Sequence, residues 1–126
     1  MFTKTIEDIL TLFAMTILAD RRLFMEEMEV FMDLSSTIEQ FNTGPAKLSG
    51  AAMLEWFENN KGQLLVKLET PDFDPWFYGI LDRLAPLDNK EVILKAMGAL
   101  SIADDNVHVS ERALLSLTAE HWKIEA

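Results

Sequence analysis

The sequence has no cysteine, which excludes disulfides, thiolate metal sites and cysteine nucleophiles and fits a reducing compartment. Basic residues are also scarce: 11 lysines and arginines face 21 acidic residues, for a formal net charge of −10. The longest run of bases is Arg21-Arg22. Binding to nucleic acid or to an anionic membrane is therefore not expected, because both need concentrated positive charge. Cations and basic protein surfaces are better matched partners.

No hydrophobic run is long enough to cross a bilayer. The most apolar stretch, "ILTLFAMTILA" at residues 9–19, is too short to span. It does not resemble a signal peptide either, because Glu7 and Asp8 precede it where bases should lie and no small-residue cleavage site follows. The run predicts a buried first helix in a cytoplasmic protein without a transmembrane segment.

Alternation of apolar and polar residues, the mark of a strand, is not sustained anywhere. A chain of 126 residues with 49% hydrophobic and 25% charged residues is ordinary for one globular domain. Apolar residues recur instead at spacings of three and four, as Ile6, Leu10, Phe13 and Ile17 do. The sequence predicts an all-α, single-domain helical bundle over residues 1–126, with about six or seven helices.

Capping residues, prolines and turn residues predict where the helices begin and end. A second helix is predicted from about Met25 to Gln40, with Glu27 pointing away from its buried side, and a last helix from about Ser110. Between them, "ENNKG" at 58–62 weakens the helical spacing of apolar residues. "QLLVKLE" is therefore predicted to be a short separate helix that ends at Pro71. Three further residues are predicted N-caps, the second followed by a proline at the first helical position: Ser49, Asp74 with Pro75, and Asp88.

Two segments repeat one pattern. "ILADRRLFMEEMEVFMDL" (17–34) and "SIADDNVHVSERALLSLT" (101–118) both end an apolar helix with Ala-Asp, place a glutamate seven positions after the aspartate, and continue as an amphipathic helix. The pairs are Asp20 with Glu27 and Asp104 with Glu111. The repeat predicts one helix–acidic loop–helix unit used twice within a helical bundle.

This pattern resembles the signature of the TerB-like domains, a family named for a bacterial tellurite-resistance protein, with a related domain in a DnaJ-type co-chaperone. The family pattern, Ala-Asp-Gly-x-Ile/Val-x-x-x-Glu, corresponds here to Ala103, Asp104, Val107 and Glu111, and to Ala19, Asp20, Leu23 and Glu27. The family's glycine is Asp105 in the second copy and Arg21 in the first. With the similar helix count, the resemblance extends over nearly the whole chain. It implies an all-α accessory domain linked to stress responses, with acidic residues that bind divalent metal. It does not imply catalysis.

The second acidic loop is the stronger candidate metal site. Its oxygen-bearing side chains, the kind of ligand that Ca²⁺ and Mg²⁺ require, are Asp104, Asp105, Asn106 and Glu111. The two aspartates follow a helix C-terminus, whose partial negative charge also favours a cation. The spacing is not that of an EF-hand. The alternative is a plain polar turn, since Asp and Asn are common in turns and an early glutamate stabilises a helix without metal.

The first loop, with Asp20 and Glu27, is the weaker candidate. Arg21 and Arg22 supply cations within that loop, so a salt-bridged structural turn is the preferred interpretation. His108 is expected to be solvated and His121 partly buried. In the aromatic stretch "TPDFDPWFYG" (70–79), Trp76 and Tyr78 cannot both face inward with Phe77. One of the two is therefore a candidate for a partner surface. The preferred alternative is that all of these aromatic residues pack within a small helical core.

No nucleophile–base arrangement or glycine-rich phosphate loop can be assembled from the sequence, so an enzyme is not expected. The first hypothesis is a non-enzymatic TerB-like accessory domain in a stress response that binds Ca²⁺ or Mg²⁺ through an acidic loop. The alternative is a metal-free protein-interaction module whose acidic surface docks on a basic partner. A small hydrolase with a loop metal is a third hypothesis.

Overall fold

The computed structural model describes residues 3–19, 25–42, 48–101 and 109–124. Within these ranges the chain forms α-helices joined by turns, with no strand, which confirms the predicted all-α bundle. None of the described helices combines the length and hydropathy that a bilayer-spanning segment needs. The elements are α1 (Lys4–Leu18), α2 (Met25–Asp33), a 3₁₀ helix (Leu34–Ser36), α3 (Glu39–Asn42), α4 (Gly50–Leu68), α5 (Phe73–Leu84), α6 (Lys90–Ser101) and α7 (Val109–Trp122).

Helix α1 is the centre of the fold. From Asp8 to Leu18 every residue except Thr11 is buried, and the helix contacts α4, α5, α6 and α7. The predicted buried first helix is therefore confirmed, although it is buried all round rather than along one stripe. Its buried Thr16 hydroxyl donates to the Leu12 carbonyl at 2.9 Å, so this polar group stays hydrogen-bonded inside an apolar core.

The segment after Met25 is shorter and more broken than the sequence predicted. Helix α2 ends at Asp33, and a 3₁₀ turn leads to the single helical turn of α3, which contains Gln40. The interruption coincides with Ser35-Ser36-Thr37, and the Ser36 hydroxyl donates to the Asp33 carbonyl at 3.1 Å. Such local side-chain hydrogen bonds compete with regular helix, which explains the early end of α2.

Helix α4 is continuous, contrary to the predicted weakening at "ENNKG" and the separate helix after it. Its start agrees with the prediction: the Ser49 hydroxyl accepts a hydrogen bond from the Ala52 amide at 3.1 Å. Inside the doubtful stretch, the Asn60 side chain donates to the Trp56 carbonyl at 2.8 Å. Asn60 therefore satisfies its amide without breaking the helix, and buried Leu64 anchors the second half to the core.

Helices α5 and α6 both begin near their predicted starts. Helix α5 has Asp72 at its N-cap rather than Asp74, so it starts at Phe73. Pro75 then occupies the third helical position, where its missing N–H would have had no intrahelical partner. Helix α6 starts at Lys90, beyond the predicted cap at Asp88.

The two predicted helix–loop–helix units contact each other reciprocally. The first helices of the units, α1 and α6, pack together, while α2 packs on α6 and α7 packs on α1. An approximate two-fold relation between the units would produce this exchange of partners. The acidic loops themselves, residues 20–24 and 102–108, lie outside the described residues.

Candidate functional site

The proposed metal ligands fall largely outside the described part of the chain. Asp104, Asp105 and Asn106 lie in residues 102–108, and Asp20 lies in residues 20–24. Glu111 belongs to the first turn of α7, although the described side chains of that helix begin after it. Across the described ranges, no group of three or more His, Asp or Glu residues is arranged to hold a metal ion. The loop sites therefore stay predictions.

Glu27 is the one predicted ligand whose side chain is described, and it is buried. It lies in α2 and is only 1% exposed, whereas the sequence placed it away from the buried side of its helix. That placement was wrong. Glu27 is one helical turn before Phe31, which is fully buried, and residues four apart share a helix face. This spacing could have revealed the inward orientation.

A concave groove lies between α6 and α7 and has a volume of about 690 Å³. That volume lies within the roughly 300–1,000 Å³ typical of ligand pockets. Its apolar lining comes from Leu94 of α6, from Leu115 and Ala119 of α7, and from Ile124 just beyond α7. We call this feature the α6–α7 groove.

Positive charge surrounds the α6–α7 groove. Lys95 of α6, Arg112 of α7 and Lys123 line it and are exposed, with Glu91 as the single acidic residue among the lining. Within the described part of the chain, none of the three bases has an ion-pair partner. The groove thus reverses the charge balance of the chain as a whole, in which acids outnumber bases by 21 to 11.

Lys123 ends α7 in an unusual backbone conformation. Its φ of 57° is the one positive value outside glycine in the described ranges. The Ile124 amide donates to the Ala119 carbonyl at 2.9 Å and the Lys123 amide to the Glu120 carbonyl at 3.2 Å. These are the two bonds of a Schellman motif, which normally has glycine at the left-handed position. A lysine in that conformation costs about 1–2 kcal/mol.

Gly98 lies in the interior of α6 and lines the α6–α7 groove. A Cβ added there would meet no atom of another described segment within 4 Å. Glycine in a helix interior is destabilising by about 0.5–1 kcal/mol relative to alanine. No neighbouring described segment therefore requires a glycine at this position.

The aromatic region joins α5 to α7. Tyr78 is exposed and stacks on His121 with ring centroids 5.0 Å apart, and His121 Nε2 lies 2.6 Å from an Asp82 carboxylate oxygen. The buried Trp122 indole donates to the Leu81 carbonyl at 2.9 Å. His121 is partly buried, as predicted, and of the pair Trp76 and Tyr78 it is Tyr78 that is exposed. His108 lies outside the described residues.

The sequence prediction assigned no role to the bases of the groove. A signal was present: the lining residues recur at helical spacing, at 91, 94, 95 and 98 in α6 and at 112, 115, 116, 119 and 123 along α7. In each helix this stripe lies beside the buried one. The stripes predict two faces, but the sequence does not indicate that the two faces adjoin.

Comparison of the chain with protein-family models, with curated proteins and with solved structures gives no match. The TerB-like resemblance therefore rests on the repeated sequence pattern.

Proposed function

We propose that this chain is a non-enzymatic accessory domain that acts by binding a protein partner through the α6–α7 groove. The observation that carries the proposal is the groove itself, which combines an apolar floor with Lys95, Arg112 and Lys123 on an otherwise acidic chain. A stress-response role, including tellurite resistance, belongs to the proposal because the TerB-like resemblance implies it. A cytoplasmic location belongs to the proposal as well, since a chain without cysteine fits a reducing compartment.

A divalent cation is the second part of the proposal. The second acidic loop, with Asp104, Asp105, Asn106 and Glu111, connects α6 to α7. Ca²⁺ or Mg²⁺ bound there by carboxylate and amide oxygens would join the ends of the two helices that form the groove. The first loop, with Asp20 and Glu27, is proposed as a structural turn.

The alternative is a metal-free module whose acidic surface docks on a basic partner. The net charge of −10 favours it, since such a charge attracts basic surfaces over long distances. This alternative uses a different surface from the α6–α7 groove, so the two can be separated by where a partner contacts the chain.

Site-specific photo-crosslinking in the native host separates these surfaces. A photoreactive amino acid at Ser116, an exposed residue lining the groove, is compared with the same amino acid at Glu55, exposed on α4. The proposal predicts one discrete crosslinked partner from position 116 and none from position 55. A partner captured only from position 55, or identical products from both positions, would contradict binding through the groove.

A further inference from the structure

The α6–α7 groove is lined at two points by residues that cost the fold stability. Gly98 is unfavourable inside a helix, and Lys123 is unfavourable in the left-handed conformation of a Schellman motif. Local departures of this kind concentrate at functional sites, where stability is given up for binding. Gly62, in α4, also has open surroundings but lies outside the groove. An unconstrained helix glycine is therefore not informative by itself. The observation that points to a binding site is that Gly98 and Lys123 line the same groove.

The lining also limits what the groove can hold. Gly98, Ser116 and Ala119 are small, and small residues allow another helix to approach at the 8–10 Å that separates packed helix axes. From position 112 to position 123 the groove follows α7 for about 16 Å at 1.5 Å per residue. Three turns of a helix have this length, and the apolar stripe of an amphipathic helix would cover Leu94, Leu115 and Ile124.

From this geometry we infer that the α6–α7 groove binds an acidic amphipathic helix of the partner protein, an inference that rests on the proposed function. The apolar stripe of that helix lies on the floor, and its flanking Asp or Glu side chains lie beside Lys95, Arg112 and Lys123. These bases have no ion-pair partner among the described residues. Binding therefore breaks no described ion pair.

The test uses a designed peptide of about 15 residues, long enough for appreciable helicity. It carries leucines at i, i+3, i+7 and i+10 and glutamates on both flanks. A second peptide has lysines in place of the glutamates, a third has the acidic composition scrambled, and dodecanoate represents a small anionic amphiphile. Binding is measured by calorimetry, and the contacted surface by amide chemical shifts at Gly98 and Ser116. We expect saturable binding of the acidic peptide alone, weakening as salt is raised.

Charge variants locate the interaction. Lys95→Glu with Arg112→Glu should lower the affinity for the acidic peptide at least about tenfold, because two attractive contacts become repulsive. Lys61→Glu with Lys67→Glu on α4 makes the same change in net charge away from the groove and should leave affinity within about twofold. An equal loss in both double variants would show that only the overall charge matters and would overturn the inference.

Glycine variants test the open floor. Gly98→Leu and Gly62→Leu both replace an interior helix glycine with a good helix former, so both should raise Tm by a few degrees. Only Gly98→Leu should reduce peptide affinity, by about tenfold or more, because its side chain occupies the groove. Undiminished binding by Gly98→Leu would overturn the site.

Lys123→Gly completes the set, because it should move stability and binding in opposite directions. Relief of the left-handed lysine should raise Tm by roughly 2–5 °C. Loss of the lysine ammonium should lower the affinity for the acidic peptide roughly two- to fivefold. A purely structural Lys123 would change Tm alone, and that result would remove it from the site.

The remaining outcomes separate this inference from the proposed function. If the lysine peptide binds as tightly as the acidic one, the charge argument is wrong. If dodecanoate binds the groove more tightly than the peptide, the occupant is a small amphiphile. If position 116 captures a partner in cells but no acidic peptide binds, the proposed function stands and the partner chemistry inferred here is wrong. A bound peptide without any crosslink from position 116 overturns the proposed function instead.

Discussion

The ion pair between Asp8 and Arg83 makes an asymmetric prediction about stability. Arg83 Nε donates to one Asp8 carboxylate oxygen at 2.8 Å, and Nη2 donates to the other at 3.0 Å. The Asp8 side chain is only 4% exposed, whereas that of Arg83 is 45% exposed. The hydrogen bonds that Arg83 donates to Asp8 raise the pKa of Arg83 above its ordinary value. Removing Arg83 leaves the Asp8 carboxylate buried without its bidentate partner, whereas removing Asp8 leaves a guanidinium that is already about half exposed. The two substitutions should therefore destabilise the fold to different extents.

We expect Arg83→Ala to be the more destabilising substitution. Breaking a fully buried ion pair costs about 3–5 kcal/mol, and an exposed pair contributes about 0.2–1 kcal/mol. Because Arg83 is half exposed, we expect about 2–3 kcal/mol for Arg83→Ala. Lys4, 3.7 Å from Asp8 but 68% exposed, compensates little. Asp8→Ala should cost about 1–2 kcal/mol, since the guanidinium of Arg83 can turn into water.

Denaturant unfolding of the two single variants and the double variant measures the coupling directly. The coupling energy should be about 1–2 kcal/mol, and the double variant should cost less than the sum of the single ones. Lys61→Ala is the control, because its ion pair with Glu58, at 2.7 Å, lies on the exposed surface of α4, and we expect a change within about 0.5 kcal/mol. A larger loss in Asp8→Ala than in Arg83→Ala, or a coupling near zero, would refute the reasoning from burial.

Two further predictions concern the second loop and the contact of α7 with α5. Millimolar Ca²⁺ or Mg²⁺ should raise Tm, because a ligand that binds only the folded state stabilises it; Asp104→Ala with Glu111→Ala should abolish the shift, and Asp20→Ala should retain it. Absence of any thermal shift in the unmutated chain would leave the loop as a polar turn. Trp122→Phe should cost about 1–2 kcal/mol in denaturant unfolding, because it removes the buried indole hydrogen bond to the Leu81 carbonyl. A variant as stable as the unmutated chain would show that this bond contributes nothing.

Local sequence information was sufficient for most of the helices. The apolar run at 9–19 predicted a buried first helix, and Ser49 predicted the start of α4, because hydrophobic spacing and capping act within one or two turns of the chain. Local sequence information failed where contacts with other segments of the chain decide whether a helix continues. "ENNKG" has weak helix propensity, yet α4 continues through it, since Leu64 beyond it is buried in the core and tertiary packing overrides propensity.

The sequence by itself determined an all-α chain, its repeated acidic pattern and its negative charge. Only the tertiary structure decided that Glu27 points inward and that Lys95, Arg112 and Lys123 meet at one groove. Periodicity states which residues share a face of one helix, but it carries no information about which helix that face adjoins. The bases of α6 and α7 are separated along the chain and gather only when the two helices pack, so their combined charge is a property of the fold.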